Sequence, residues 1–154
     1  MIKFEKLPFK KDKVFIVSDL HYNHKNICSS TTEWKSKENR EFSSLEEMNE
    51  ALILGINERV GKDDLLIHLG DWSFGGEQYI LEFRNKIKCK NIILIRGNHD
   101  WKASLESDAF LRISDIAYFR IEDVNLQLCH YPIFHWHFQE HGAIHLHGHL
   151  HGKE

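Results

Sequence analysis

Five apolar runs in this 154-residue chain each end in residue types that bind metals, and that pattern restricts the possible folds more than any other feature. Val14-Phe15-Ile16-Val17-Ser18 runs into Asp19-Leu20-His21, and Leu65-Leu66-Ile67-His68-Leu69 runs into Gly70-Asp71. Ile92-Ile93-Leu94-Ile95-Arg96 runs into Gly97-Asn98-His99-Asp100, and Leu126-Gln127-Leu128-Cys129 runs into His130. Last, Ala143-Ile144-His145-Leu146-His147 runs into Gly148-His149-Leu150-His151. A run of about four to eight apolar residues bounded by turn signals reads as a buried strand. In an open α/β sheet, ligands bind just beyond the carboxyl ends of the strands. Five segments in order therefore deliver Asp, His and Asn side chains to one rim, and a shared site explains that better than chance.

Between the runs lie helical patterns. Ser43 and Glu46 have the spacing of a capping box. Leu45, Met48, Leu52, Ile56 and Val60 follow near a 3.6-residue period, with Gly61 as the stop. Tyr79 to Ile87 reads as a second helix with Ile80, Phe83 and Ile87 on one face, and Ala103 to Phe110 as a third. Strand, helix, strand, helix, strand is the order of βαβ units with right-handed crossovers. Phe119 to Glu122 and Asn125 to Cys129 flank Asp123-Val124 as a hairpin, which makes part of the architecture antiparallel. The expected fold class is α/β, a single domain over residues 1–154 in which mixed β-sheets are flanked by α-helices. The long polar stretch from Tyr22 to Phe42 follows the first Asp-His pair and is placed to form one wall of a site.

Composition removes some function classes. The formal net charge of −3 gives no global attraction to nucleic acid or anionic membrane. A local metal centre would still attract phosphate, which leaves nucleic acid open as a partner. Met1 to Lys13 has no apolar core for a signal peptide or membrane span. Cys28, Cys89 and Cys129 are odd in number and widely spaced, which suits a reduced, cytoplasmic setting better than a disulfide framework. Leu, Ile, Gly and Trp interleave the late histidines, unlike an expression tag.

The strand-end groups suit a particular chemistry. On an extended chain, residues two apart point the same way, so Asp19 and His21 reach one metal, and His149 and His151 repeat the spacing. With Asp71, Asn98 and His130 the set comprises two carboxylates, four histidines and one amide. That exceeds the roughly three protein ligands of a catalytic zinc site. It suffices for two ions if one carboxylate bridges them. Nitrogen and oxygen ligands without sulfur suit manganese, iron, zinc or nickel. Two such ions roughly 3.5–4 Å apart clamp an in-line displacement at phosphorus and lower the pKa of bound water toward about 7.

The blocks Asp19-Leu20-His21, Gly70-Asp71, Gly97-Asn98-His99-Asp100, His130 and Gly148-His149-Leu150-His151 resemble the calcineurin-like metallophosphoesterase superfamily, in order and across most of the chain. The resemblance implies a hydrolase using two divalent ions and a metal-bridging hydroxide on a phosphate ester. It implies that Asp71 bridges the ions, that Asp19, His21 and His151 complete one shell, and that Asn98, His130 and His149 complete the other. His99 becomes the proton donor to the leaving group. Relatives acting on phosphoproteins continue Gly-Asp-x-Val-Asp-Arg-Gly, whereas here Gly70-Asp71 continues Trp72-Ser73-Phe74-Gly75-Gly76. A small phosphodiester or a nucleotide is the expected substrate. A non-catalytic metal-binding or protein-interaction module on the same fold is the alternative, and loss of ligands or of His99 would favour it.

Other residues carry two readings. His68 sits within a strand as a core or supporting histidine, and His24 is either a substrate contact or a solvated loop residue. His145 and His147 alternate with the ligand-bearing end and offer second-sphere support or nothing. Trp72 and Trp101 either pack at the sheet edge or wall a nucleobase site. The sequence ends three residues after His151, so the expectation is either a minimal form, with the last strand at a sheet edge or paired with an earlier segment, or a sheet edge completed by something else. An exposed edge invites a homodimer.

Overall fold

The computed structural model describes residues 2–36, 39–100 and 109–151. Within them, β2 (Val14–Val17), β3 (Leu65–His68), β4 (Asn91–Ile95) and β5 (Arg112–Ser114) form one sheet in that order, all parallel. A second sheet has the order β1 (Glu5–Lys6), β6 (Ile116–Ile121), β7 (Val124–Cys129), β8 (Ile144–Leu146). In it β6 and β7 are antiparallel, while β1 with β6 and β7 with β8 are parallel. Two helices, α1 (Leu45–Arg59) and α2 (Glu77–Lys86), complete the mixed α/β architecture.

The continuous apolar runs have a simple cause. β3 and β4 are buried on both faces, so the period of two shows in packing and not in polarity. Leu65, Ile67, Ile93 and Ile95 turn toward the second sheet and pack with Phe119, Ile121, Leu126 and Leu128. Leu66, Ile92 and Leu94 turn the other way, onto Ile56, Val60, Ile80 and Phe83 of the helical layer. Each such side chain contributes about 1.5–3 kcal/mol of burial. The parallel pairings then force the carboxyl ends of β2, β3 and β4 onto one rim, and those of β7 and β8 likewise share an end.

Several boundaries differ from expectation. The cap of α1 is Ser44, whose side chain accepts the Glu47 N–H, while the Ser43 N–H and hydroxyl both donate to the Glu47 carboxylate. The capping box is thus one residue later than the Ser43–Glu46 pair. Gly61 follows α1 without a left-handed turn; its N–H goes to Asp64 instead (2.8 Å). The hairpin pairs Ile121 with Val124, so Glu122-Asp123 makes the turn. β1 and β5, of two and three residues, have no sequence signature of their own. Residues 103–108 of the expected third helix lie outside the described residues, and Phe110 sits in a turn with its ring in the core. β8 is an outer strand, with Ile144 46% exposed. The three cysteines are buried free thiols. No described helix is long and apolar enough to cross a membrane.

Candidate metal centre

The strands do not simply run out into the site. Asp19, His21, Asp71, His149 and His151 all have positive φ, between 49° and 69°. They are five of the eight non-glycine residues in that region among those described. The expected extended backbone around Leu20 and Leu150 is therefore absent. Left-handed residues turn the side chains inward, at a cost of order 1–3 kcal/mol each that the surroundings must sustain. Backbone bonds sustain it by carrying the sheet ladder past the strands: Asp19 N–H to Gly70 O and His21 N–H to Asp71 O are both 2.9 Å.

The side chains gather in two groups. Ligand atoms of Asp19, His21, Asp71 and His151 all lie within 4.8 Å of one another, which is compatible with a single cation. His21 Nε2 is 3.3 Å from His151 Nε2 and 3.5 Å from Asp71 Oδ2, and His151 Nε2 is 3.3 Å from Asp19 Oδ1. In the second group, Asn98 Oδ1 is 3.0 Å from His130 Nε2 and 3.1 Å from His149 Nδ1. His130 Nε2 also approaches Asp71 Oδ2 at 3.6 Å. One oxygen, Asp71 Oδ2, thus faces an imidazole of each group.

The donor set fits a cation for a chemical reason. His130 Nδ1 is 2.8 Å from the Leu69 carbonyl, which only accepts, so Nδ1 carries the proton. In the neutral ring Nε2 is then a lone pair, aimed at a carboxylate and an amide oxygen. That second bond orients a metal-binding imidazole. Burial holds His21 well below the ordinary histidine value, at about 2, with the neighbouring His24, His99, His151 and Arg40 adding to the effect. A neutral imidazole is the ligating form.

Residues behind the groups fix them. Asp100 is buried and, among the described residues, accepts the backbone N–H groups of Asp71 (2.7 Å) and Gly97 (2.9 Å) on Oδ2 and of Trp72 (3.0 Å) on Oδ1. Desolvation raises its pKa, with the three N–H bonds opposing. It ties the Gly70-Asp71 turn to the Gly97–Asp100 block. Gly97 has to be glycine, since a Cβ there would lie 2.6 Å from the Asp71 nitrogen. Arg40 donates to the carbonyls of Leu20 (2.5 Å) and Asp19 (2.6 Å) from behind. Sequence reasoning assigned neither Asp100 nor Arg40 a task. Asp100 closes a recognisable block, whereas Arg40 sits in a polar stretch that gives no sign of it. The same stretch does supply wall residues, His24 and Ile27.

A cleft of about 380 Å³ opens over the groups and is lined by His21, His24, Asp71, Asn98, His99, His149 and His151 among others. That is within the size range of small-molecule sites. His99 lines it, with its backbone N–H donating to Asp71 Oδ1 (2.9 Å). His24 lies flat on Phe74, ring centres 3.9 Å apart, and burial lowers its pKa to about 4. His24 is therefore a cleft residue and not a solvated one. His68 is fully buried, accepts the Gly70 N–H at Nδ1 (3.2 Å) and is lowered to about 3 by desolvation. His145 binds Gln127 O and the Ile133 N–H and braces a loop, and His147 turns to Gly148 O; neither is among the two groups. Trp72 is 0% exposed against Phe83 and Phe110, with Nε1 donating to Ile80 O, so it cannot wall a nucleobase site. Trp101 lies outside the described residues.

Residues 12–153 match the calcineurin-like phosphoesterase family. Over 90 residues the chain is 37% identical to the uncharacterized protein MJ1445 of Methanocaldococcus jannaschii, covering 57% of this chain and 47% of that one. Among solved structures it is similar to the protein of unknown function AQ665 from Aquifex aeolicus, with TM-score 0.55 and 25% identity over 77% of this chain and 60% of that one. It also shares its fold with the Pseudomonas putida nuclease MPE, with TM-score 0.51 and 20% identity over 90% and 61% of the two chains. The chain thus spans about half to three fifths of the relatives it matches. It belongs to the calcineurin-like phosphoesterase family.

Proposed function

We propose that the chain is a hydrolase of small phosphodiesters working with two divalent ions, manganese, iron, zinc or nickel. One observation carries the reading: Asp71 Oδ2 faces His21 Nε2 at 3.5 Å and His130 Nε2 at 3.6 Å, so one carboxylate serves two groups. Asp19, His21 and His151 would hold one ion, Asn98, His130 and His149 the other, and Asp71 both. Bound ions supply charge neutralisation on phosphoryl oxygens and activation of water. The chain's own part is orientation and proton transfer. His99 lines the cleft and its backbone N–H is held by Asp71, which supports its role as proton donor to a departing alkoxide. The segment after Asp71 brings no cation: Trp72 is in the core and Phe74 lies under His24. A monoester dianion gains no extra clamp there, which favours the singly charged diester.

The test is a panel of mono- and diesters, nucleotides and DNA, applied to metal-stripped protein reloaded with each of the four metals. Diester turnover restored by metal is expected. Metal binding without turnover of any ester would leave a binding module. Asp71→Asn is expected to loosen both ions and abolish activity; two ions retained in an active variant would remove the shared-carboxylate assignment. His99→Asn is expected to keep metal and to lose about 10²–10⁴-fold in rate, with a smaller deficit for nitrophenolate leaving groups, which need no proton.

A further inference from the structure

A second cleft, of about 400 Å³, lies beside the Asn98, His130 and His149 group and is lined by Arg96, Gly97, Asp115 and Tyr131. Gly97 directly precedes Asn98 and Tyr131 directly follows His130. The Tyr131 ring packs edge-on against His149 (4.7 Å between centres) and His130 (5.0 Å), leaving the residue 44% exposed. The first cleft is lined by Asn98 and His149 themselves, and the second adjoins them through Gly97 and Tyr131.

A phosphomonoester extends from phosphorus in one direction and needs one cleft; a diester extends in two and needs two. The chemistry of the second cleft restricts the second arm. Arg96 gives Nη2 to Asp115 at 2.6 Å; its Nε is shut off from solvent, so any in-plane donor to a ligand comes from the outer, partly exposed end of the guanidinium. Asp115 already balances the guanidinium charge, so among the described residues of the cleft a second phosphate would meet no free cation. What remains is an aromatic face, a planar donor and a carboxylate acceptor side by side. A planar heterocycle carrying both donors and acceptors satisfies all three, because stacking on Tyr131 is available to any base and the Arg96–Asp115 pair offers in-plane hydrogen bonds.

Resting on the phosphodiesterase reading above, we infer that the Arg96–Asp115–Tyr131 cleft seats the nucleobase of a nucleoside phosphodiester. The experiment compares the p-nitrophenyl ester of thymidine monophosphate with methyl p-nitrophenyl phosphate, which has the same leaving group and no base. The holoprotein is expected to prefer the nucleoside ester in kcat/KM. Tyr131→Ala is expected to lower that preference, the ratio of the two kcat/KM values, about tenfold to hundredfold, the range of base stacking on an aromatic ring, because any disturbance of His130 and His149 acts on both esters alike and cancels in the ratio. Tyr131→Phe keeps the ring and is expected to keep the preference. A readout independent of metal and of turnover is saturation-transfer NMR with thymidine itself: its base protons are expected to receive saturation from wild type and Tyr131→Phe, and not from Tyr131→Ala. Equal turnover of the two esters by wild type, equal losses on both in Tyr131→Ala, or thymidine signals indifferent to Tyr131 overturn the inference. Loss of all ester turnover with the thymidine contact intact would instead overturn the hydrolase reading and leave the subsite standing.

Discussion

Replacing Asp100 with Asn tests how the two halves of the site are joined. The carboxylate receives the N–H groups of Asp71 and Gly97 on Oδ2 and of Trp72 on Oδ1. An amide has one oxygen. Placed where Oδ2 is, it keeps two of the three bonds and turns an NH₂ toward the buried Trp72 N–H. Losing a charge-assisted bond costs about 1.5–3 kcal/mol, and stranding a buried donor about 1–3 kcal/mol. The two overlap, and relief of the carboxylate's desolvation offsets part of the sum, so the expected loss is roughly 2–4 kcal/mol. For a chain of this length that is about 4–16 °C in Tm. Urea and thermal unfolding of metal-free protein measure it, with Asp63→Asn as the control, since Asp63 is an exposed partner of Lys90. Because Asp100 sets the backbone of both Asp71 and Gly97, metal titration is expected to show weaker binding in both groups. A loss below about 0.5 kcal/mol with unchanged metal affinity refutes the reasoning.

Two further expectations follow from burial and from the open edge. Folded-state values near 3 for His68 and 2 for His21 lie below the ordinary 6.5, so below 6.5 the unfolded chain takes up protons that the native one refuses. Stability of the metal-free protein therefore falls as pH drops from 6.5, by up to about 5 kcal/mol over the first two units for the two groups together. A urea midpoint that stays level across that window contradicts it. At the β8 edge, a homodimer would bury Ile144, and sedimentation is expected to show it weakened by Ile144→Lys; a strict monomer at high concentration rules the dimer out.

What the sequence made legible was mostly backbone hydrogen bonding and apolar burial. The runs at Leu65 and Ile92 read as strands because both their faces are covered, and Ile80, Phe83 and Ile87 read as a helix because one face is. The order of the blocks located the site, since parallel strands put their carboxyl ends together. The failures have physical causes. β1 and β5 are too short to have a period, and pairing alone makes them strands. Trp72 looked like a rim residue because it follows Asp71, but the left-handed Asp71 reverses the chain and sends the indole into the helical layer. The same reversal invalidated the extended-chain argument for Asp19 and His21, whose ligand atoms come within 4.8 Å of each other by a different backbone route. Arg40 acts through backbone carbonyls, and no side-chain pattern encodes that.

The left-handed residues also suggest where the centre is weakest. Asp19, His21 and Asp71 are locked by ladder bonds between neighbouring strands, but His149 and His151 come from one exposed turn. That turn is attached by Gly148 N–H to His130 O (3.0 Å) and by His149 N–H to the Asp19 carboxylate (3.1 Å). It supplies one imidazole to each group, so anything that lifts it must affect both. A Cβ on Gly148 would run into Ser18 Oγ and Asp19 Oδ2, and the Asp19 carboxylate is one of the two anchors of the turn. Gly148→Ala is therefore expected to displace the turn while leaving the buried sheet core intact. Urea unfolding of the metal-free variant should stay within about 1 kcal/mol of wild type, as for a change away from the core. Metal titration should show both ions weakened, in contrast to His151→Ala, which removes a ligand from one group alone. A Gly148→Ala protein that binds one ion as wild type and loses the other would show that the two histidines are held separately, and the common-turn argument would fail.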